Sequence, residues 1–540
     1  MFKRRFSLFA VVSIVNLALA AGFPMAPPAE AQTFSVVGIL PSTTGSITNV
    51  SSQQITQGRN GDVYAVSNFQ GGLLSATTSG TFAQVAFIGG GDDGVTLGAD
   101  GNLYTNIYFD RIGCGEVIKV TPTGTYTSLD TVCSPNGNGL TSAPIQAPNG
   151  LLYGTTTELP SGGSGTIYSV TSSGTLKLVY TFSSATGSHP IGPLVVGSDG
   201  NFYGGTREGG TNNDGVLYRV TPTGTYTVLH NFTGTDGRDV EAGLFEGHDG
   251  NLYGVTQSGG TDNLGVVFQI TNTGVYTVLY NFLIPYSTPN SSLVQATDGK
   301  LYGLLGQGNS SQPGWIYSVT TTGTFTILHE FCQESGCTDG IAPWTPLIQH
   351  TNGKLYGFTD HGGDQSVCQG DGCGVFYSFD VGLKAFASLV TTSGREGAKI
   401  GILGQGFSKT SVVKFGGTQA TTVIASGSTF LMATVPAAAL TGSVTVTTGK
   451  TTLTSAQTFK VTPTLTSFAP PDGPVGTSVT ITGTGLTQAT KVTFDKSVAT
   501  FVINSDTQIT ATVPTGAKTG KIAVTTKGGS ATSTTSFTVN

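Results

Sequence analysis

The sequence predicts an all-β chain, in which a seven-bladed β-propeller is followed by two immunoglobulin-like β-sandwiches. One short phrase, DGNLYG at Asp249 in its clearest form, occurs seven times at intervals of 40 to 54 residues. Strand-like units repeated at such a period are typical of propeller blades. Beyond about Phe386 this period stops and a longer unit of about 75 to 80 residues occurs twice, the size of a small sandwich. Only 10% of the residues are charged and 79 are glycine, which favours short strands joined by tight turns over helical bundles.

The repeat is anchored by a glycine that follows Asp or Asn and precedes an apolar residue and a tyrosine. A glycine at this place accepts the positive φ of a tight hairpin turn. The seven glycines are Gly61, Gly101, Gly150, Gly200, Gly250, Gly299 and Gly353.

Blade four shows how one repeat divides into strands. Four runs of strand-forming residues lie near Pro193–Gly197, Asn201–Thr206, Gly215–Thr221 and Thr225–Phe232, with turn residues between them. Four antiparallel strands in each of seven units predict a propeller over residues 32–384.

The two ends of the propeller each supply a run that resembles a fourth strand, which gives eight such runs for seven blades. These runs are Thr33–Leu40 and Leu383–Val390. We favour the first as the strand that completes blade seven and the second as the start of the next domain, although the pattern also permits the reverse.

The second half contains two copies of one unit, over residues 385–461 and 462–540. Gly397 aligns with Gly476 and Phe415 with Phe494 at an offset of 79 residues. Alternating strand patterns in both copies predict two β-sandwiches.

Both kinds of repeat resemble known families. The phrase D-G-N-L-Y-G followed by G-V-x-Y-x-V-T-x-x-G-T is similar to the GloVer-type tandem repeat of exported bacterial proteins, whose members vary in how they attach to the cell. The pattern G-x-x-V/I-x-I-x-G-x-G-F/L followed by a T-V-P strand is similar to the IPT/TIG immunoglobulin-like family. The first resemblance implies no established activity, and the second implies modules that usually serve as spacers.

The N-terminus predicts a signal peptide over residues 1–31. Lys3, Arg4 and Arg5 precede a short apolar run, and Ala29-Glu30-Ala31 offers a small-x-small cleavage site before Gln32. We therefore expect an extracellular or cell-surface protein with no transmembrane segment after cleavage. An uncleaved anchor is the alternative.

Six cysteines, all in the repeat region, predict three disulfides in an exported chain. Cys114 and Cys133 flank a hairpin and would join its open end. The other four lie in pairs five residues apart, which favours Cys332–Cys337 and Cys368–Cys373. A zinc site is the alternative, but the spacing and the oxidising compartment disfavour it.

Loops of variable length, including an insertion at Asp360–Gly374, would lie on one face of the propeller, where binding residues are usually found. We expect candidate ligand contacts there from Trp344, His361, Asp364, Arg207, Asp236 and Arg238. A loop tryptophan can stack on a sugar ring, although packing beneath its loop is the more frequent role. The wider set of charged residues predicted on this face is Asp110, Arg111, Glu158, Glu208, Asp239 and Asp371.

No motif for a catalytic nucleophile, a metal or a cofactor occurs in the sequence, so none is predicted. Outside the N-terminus we saw no basic cluster, which disfavours nucleic acid as a partner. The sequence therefore favours a non-catalytic exported protein that binds an extracellular glycan or a surface protein. Two alternatives remain open: an enzyme that degrades extracellular polysaccharide at the propeller mouth, and a structural component of the surface coat.

Overall fold

The computed structural model consists mainly of β-strands, and a short 3-10 turn lies at Ser335–Cys337. The predicted signal peptide and the candidates Asp110, Arg111 and Asp371 lie outside the described residues. The described residues are 32–41, 50, 52–67, 72–89, 94–109, 114–133, 136–140, 142–158, 163–284, 288–289, 291–306, 313–366, 368 and 372–540.

Seven antiparallel sheets form the blades, and this confirms the predicted propeller. The innermost strand of each blade is two residues long and strand four is the outermost; blade three has an additional strand of three residues, so that two short strands pair with its first long strand. The strands are β1 (Thr33–Ile39); in blade one β2 (Thr56–Gln57), β3 (Val63–Ser67), β4 (Gly72–Ala76) and β5 (Phe82–Phe87); in blade two β6 (Thr96–Leu97), β7 (Leu103–Phe109), β8 (Cys114–Val120) and β9 (Tyr126–Val132); in blade three β10 (Asn138–Leu140), β11 (Ile145–Gln146), β12 (Leu152–Glu158), β13 (Thr166–Val170) and β14 (Leu176–Thr181); in blade four β15 (Val195–Val196), β16 (Phe202–Gly205), β17 (Val216–Val220) and β18 (Tyr226–Asn231); in blade five β19 (Phe245–Glu246), β20 (Leu252–Thr256), β21 (Val266–Ile270) and β22 (Tyr276–Asn281); in blade six β23 (Val294–Gln295), β24 (Leu301–Leu305), β25 (Trp315–Val319) and β26 (Phe325–Glu330); and in blade seven β27 (Ile348–Gln349), β28 (Leu355–Phe358) and β29 (Val375–Asp380).

The N-terminal strand closes the ring. β1 pairs with β29 in an antiparallel register that places Thr33 opposite Asp380 and Ile39 opposite Val375. The outer strand of blade seven therefore comes from the start of the chain, as we favoured from the sequence. Closure leaves fewer unpaired strand edges than an open sheet would have.

The repeated D-G-N-L-Y phrase is a self-contained hydrogen-bonded turn. In blade five, Asp249 Oδ1 accepts a bond from the Asn251 amide at 3.1 Å and Oδ2 accepts one from the Tyr253 hydroxyl at 2.7 Å. Gly250 has φ +79°, a conformation that favours glycine. The tyrosine ring is thereby buried with its hydroxyl satisfied, which explains why Asp, Gly and Tyr recur together.

Neighbouring blades are joined by a second repeated contact that the sequence analysis did not identify. A Gln or Glu four residues before the turn glycine accepts a backbone N–H from the preceding blade at five of the seven junctions. We call this contact the blade clasp. Its members are Gln146 with Ala99 N, Glu246 with Ser198 N, Gln295 with His248 N, Gln349 with Thr297 N and Gln57 with Thr351 N.

Stacked rings join the outer strands of consecutive blades. His230 stacks on Tyr276 at 4.0 Å, and His329 stacks on Phe34 of the closing strand at 3.9 Å between ring centroids. Tyr180 and Tyr280 occupy the same repeat position and stack in the same way on the next blade. The two histidines therefore have a structural role between blades.

The C-terminal half folds as two sandwiches, each with one four-stranded and one five-stranded sheet. The sheet orders are β30-β32-β36-β35 and β31-β38-β37-β33-β34 in the first, and β39-β41-β45-β44 and β40-β47-β46-β42-β43 in the second. The strands are β30 (Ser388–Leu389), β31 (Ser393–Gly394), β32 (Lys399–Leu403), β33 (Val412–Phe415), β34 (Thr418–Gln419), β35 (Val423–Ser426), β36 (Phe430–Thr434), β37 (Gly442–Thr448), β38 (Thr451–Val461), β39 (Thr464–Ala469), β40 (Asp472–Gly473), β41 (Ser478–Thr484), β42 (Ala489–Phe494), β43 (Ser497–Ala499), β44 (Phe501–Ser505), β45 (Gln508–Thr512), β46 (Gly520–Thr526) and β47 (Gly529–Val539).

The first sandwich packs against the propeller face that carries the short hairpin turns, which we call the turn face. Thr429 Oγ1 donates to the Arg59 carbonyl at 2.7 Å, and the Arg59 guanidinium lies 4.3 Å from the centre of the Phe430 ring. Gln405 Nε2 donates to Thr351 Oγ1 at 2.9 Å. A cavity of about 310 Å³ remains between this sandwich and the innermost strands, lined in part by Phe245, Val294, Ile348, Leu389 and Leu403.

We expect the blade clasp that closes the ring to contribute more to the free energy of unfolding than a solvent-exposed clasp does. The Gln57 side chain accepts the buried Thr351 N–H at 3.0 Å and donates to Thr351 Oγ1 at 2.9 Å. Gln57→Ala leaves that N–H buried without a partner, which should lower the free energy of unfolding by about 1–3 kcal/mol in urea titrations. Gln146→Ala removes the exposed equivalent and is the matched control. Equal effects of the two substitutions would contradict this prediction.

Acid should weaken the stack between the closing strand and blade six. Burial lowers the pKa of His329 from its ordinary 6.5 to about 4. The unfolded chain therefore binds the proton first as pH falls, so this stabilisation is complete above about pH 6.5 and is lost between there and about pH 4. His329→Tyr, which copies Tyr280, should remove about 3 kcal/mol of the pH dependence of the free energy of unfolding between pH 7 and 4. Tyr280→Phe serves as the control and should leave the pH dependence unchanged.

Candidate binding face

The face opposite the turn face carries the loops that join strands two and three and the loops that lead into each next blade. We call it the variable face. In blade four the leading loop pairs with the end of strand two through a bridge between Ser188 and Glu208, and blade five repeats this with Arg238 and Ser258. Each leading loop is thus held against the strand end of its own blade.

A buried threonine organises each of these strand ends. Thr206 Oγ1 accepts the Val216 N–H at 3.0 Å and donates to the Glu208 carbonyl at 2.9 Å. Thr256 and Thr359 make the same pair of contacts in blades five and seven. The two residues after each threonine therefore project from a rigid corner, and T-x-x-G-G is the sequence signal that would have located them.

In blades four and five these corners bring charged side chains together. Arg207 Nε lies 3.5 Å from Glu241 Oε1, and Gln257 Nε2 donates to Glu241 Oε2 at 2.7 Å. Burial raises the pKa of Glu241, while Arg207 opposes that shift. Glu241 and Gln257 were not singled out from the sequence; the T-x-x-G-G signal marks Gln257, whereas nothing in the strand pattern marks Glu241.

The same chain of contacts continues on both sides. Arg238 Nε donates to Ser258 Oγ at 3.2 Å, and the Ser258 hydroxyl donates to Asp239. His189 lies between two carboxylates at 3.7 and 3.6 Å. We call this continuous row the polar ridge: Glu158, His189, Arg207, Glu208, Arg238, Asp239, Glu241, Gln257 and Ser258.

Asp236 lies apart from the polar ridge and has a structural role. Its Oδ2 lies 3.0 Å from His230 Nε2, and its Oδ1 accepts bonds from the Thr233 amide and hydroxyl. Burial lowers the pKa of His230, so the neutral ring is favoured. Asp236 thus supports the ring stack between blades four and five.

The blade-seven candidates form a separate group. Trp344 packs against the buried cluster of Cys337, Ile341 and Ala342, and its buried indole N–H has no hydrogen-bond partner among the described residues. His361 Nδ1 lies 3.0 Å from the buried Asp360 carboxylate. Asp364 is exposed and accepts bonds from the amide and hydroxyl of Ser366, which lower its pKa. The structure therefore divides the six predicted contacts among three places.

Three disulfides cross-link the loops of this face or their flanks. The bridges are Cys114–Cys133, Cys332–Cys337 and Cys368–Cys373, with Cα–Cα separations of 4.6, 4.0 and 5.4 Å. In the described part of the chain, no three His, Cys, Asp or Glu residues are grouped so that they could hold a metal ion. No helix in the described ranges has the length and apolarity to cross a membrane.

Both halves of the chain match known families. Residues 91–288 and 141–371 match the profile of the Gloeobacter/Verrucomicrobia repeat, and residues 386–461 and 463–539 each match that of the IPT/TIG domain. Comparison with curated protein sequences finds no match.

Solved structures are similar only at a low level. An oligogalacturonate lyase from Vibrio parahaemolyticus is 11% identical over 65% of this chain and 97% of its own, with a TM-score of 0.40. An aldose sugar dehydrogenase from Streptomyces coelicolor is 16% identical over 66% and 100%, with a TM-score of 0.36. A surface glycan-binding protein from Prevotella bryantii is 19% identical over 27% and 38%, with a TM-score of 0.22. No activity is transferred from any of the three.

The threonine corner predicts a measurable local effect. Thr206→Val keeps the side-chain shape but leaves the buried Val216 N–H without its partner, while the Glu208 carbonyl keeps the Ser188 N–H, so the free energy of unfolding should fall by about 1–3 kcal/mol. Hydrogen exchange at the Val216 amide should also become faster. Thr223→Val, which removes an exposed turn hydroxyl, is the control. Unchanged exchange at Val216 would show that the hydroxyl does not organise this corner.

Proposed function

We propose that this chain, which belongs to the Gloeobacter/Verrucomicrobia repeat family and carries two IPT/TIG domains, is an exported, non-catalytic protein that binds an extracellular glycan. The polar ridge of the variable face is the proposed site. The two IPT/TIG domains serve as the spacer on the opposite side of the propeller.

The placement of the first IPT/TIG domain supports this choice of face. Among the described residues, every hydrogen bond between that domain and the blades involves the turn face, at Arg59, Ser198 or Thr351. The turn face is therefore partly covered by the chain itself. The variable face, where loop lengths differ, is left for a ligand.

The chemistry of the polar ridge fits sugar hydroxyls. Carboxylates such as Glu208 accept hydrogen bonds, the Arg207 and Arg238 guanidinium groups donate them, and the Gln257 amide does both. About half of the Arg207 and Glu208 side-chain surfaces is exposed, so these groups remain able to reach a ligand. Their mutual contacts pre-organise them, which lowers the entropic cost of binding.

The distribution of apolar side chains favours a glycan over a protein partner. Stable protein interfaces usually centre on buried aromatic or aliphatic anchors. Among the residues that the structure describes, the exposed large apolar side chains nearest this face are Ile39, Phe87 and Leu283, which lie at or just beyond the ends of outermost strands. None of them belongs to the polar ridge.

Cleavage of the glycan is the second candidate function, and one observation favours it. Burial raises the pKa of the Glu241 carboxyl, which lies two residues from Asp239 in the chain and 3.5 Å from Arg207, and glycoside hydrolysis uses a pair of carboxyl groups. Released oligosaccharides would identify this activity. Glu241→Gln should then abolish it without changing the fold.

Binding of the chain from Gln32 onward to an array of bacterial and plant polysaccharides, with product analysis, tests the proposal. We expect saturable binding without products, and Arg207→Ala should weaken it about tenfold because a charged hydrogen-bond donor is lost. Asp364→Asn, an exposed change on the same face, is the control. Trp344→Ala tests whether blade seven also contributes. Binding that survives Arg207→Ala and Glu241→Gln unchanged would contradict the assignment of the polar ridge.

A further inference from the structure

Charge is divided very unevenly between the two halves of the chain. Residues 32–384 contain ten Lys and Arg against 25 Asp and Glu, a formal charge of −15, whereas residues 385–540 contain eleven against four, a formal charge of +7. The two IPT/TIG domains are thus distinctly basic in a protein whose total charge is −6. The prediction from the sequence that no basic cluster lies beyond the N-terminus overlooked this separation.

The basic side chains of the two domains are available to a partner. Ten of the eleven are exposed, and the other, Lys460, donates to the Ser198 carbonyl of the propeller at 2.5 Å. In this half of the chain, which the structure describes throughout, none of the eleven lies within ion-pair distance of a carboxylate. Their charge is therefore not neutralised internally.

In the second domain all five lysines belong to one sheet or its connections. Lys491 on β42 and Lys521 on β46 are exposed next to buried neighbours, so both point away from the core. Lys491 on β42 is opposite Thr525 on β46, and Thr525 is four residues from Lys521 along β46. At 3.3 Å per residue, Lys491 and Lys521 are therefore about 13 Å apart along the strand direction. Lys496, Lys518 and Lys527 lie in the adjoining turns and loop.

Hydroxyl side chains surround these lysines on the outward surface of the sheet. Lys521 is opposite Ser536, and Thr493 and Thr532 occupy neighbouring outward positions. Asp495, in the turn after β42, is the nearest carboxylate in sequence to either strand and forms no ion pair. We call the outward surface of this five-stranded sheet the lysine face.

The first domain repeats this arrangement in part. Lys414 on β33 is exposed between buried neighbours and is opposite Thr445 on β37. Lys450 lies at the turn between β37 and β38. Both belong to the five-stranded sheet that corresponds to the lysine face of the second domain.

We propose that the lysine face of the second IPT/TIG domain, extended by Lys414 and Lys450 of the first, binds an anionic polysaccharide that carries carboxylate or phosphate groups. Spaced, exposed ammonium groups attract a regularly charged polymer, and the surrounding Ser and Thr hydroxyls suit its sugar hydroxyls. Lys491, Lys521 and their outward neighbours include no aromatic ring on which nucleic-acid bases could stack. The two domains thereby act as the attachment site as well as the spacer.

The test compares binding of the chain from Gln32 onward to polygalacturonate and to a neutral galactan over 50 to 300 mM salt. We expect binding to polygalacturonate alone, weakening steeply as salt rises. The double variant K491Q/K521Q should bind at least about tenfold more weakly, with a shallower salt dependence. K491R/K521R should retain binding, which separates loss of charge from loss of fold.

Arg395→Gln with Lys399→Gln is the matched control, since it removes the same charge at the start of β32 in the first domain's other sheet. An equal loss in this control, or equal binding to the neutral galactan, would overturn the proposal.

Equally tight binding to duplex DNA would also overturn it, because the surface would then be an unselective polycation. The contrary result in sedimentation is a dimer for the unsubstituted chain and a monomer for K491Q/K521Q. That result would overturn the proposal, because the lysines would then bind the acidic propeller of a second copy. Every arm is also carried out in the Arg207→Ala variant, which weakens glycan binding at the polar ridge, so that failure of the lysine face and failure of the polar ridge can be told apart.

Discussion

Closure of the propeller ring is the constraint on which the rest of the structure depends. Each blade is a small sheet that cannot bury both of its surfaces alone, so it needs a neighbour on either side. The β1–β29 pairing provides the last of these neighbours, and the Gln57–Thr351 clasp joins the same two ends at the innermost strands. Once the ring is closed, both faces have defined positions, and loops can vary on one of them without loss of the core.

The two faces have separate roles because their turns are built differently. On the turn face the Asp-Gly hairpins use their own side chains to satisfy their hydrogen bonds, as Asp249 and Tyr253 do, and the first IPT/TIG domain packs across them. On the variable face a single buried threonine holds each corner and the residues beyond it are free to differ. Arg207 in blade four and Gln257 in blade five occupy equivalent corners, and they meet at Glu241.

The division of charge gives the protein an acidic and a basic end. The propeller carries the carboxylates, several of them in the polar ridge, while the domains beyond it carry unpaired lysines. Separate charge of this kind favours two different partners over one continuous surface. The protein would then link two extracellular materials, a glycan bound by the polar ridge and an anionic polymer bound by the lysine face.

The sequence by itself determined the all-β class, the seven blades, the two sandwiches and the local pairing of the cysteines. Each of these rests on contacts within a repeat, such as the Asp249 turn, and local contacts leave a periodic record in the chain. The charge of the lysine face was also present in the sequence, although it emerges only when residues are counted by domain. Only the tertiary structure decided that Glu241 meets Arg207, that Asp236 contacts His230, and that the first sandwich packs on the turn face. The physical reason is that these contacts join residues of different blades or domains, whose distance in space is set by ring closure and not by any spacing along the chain.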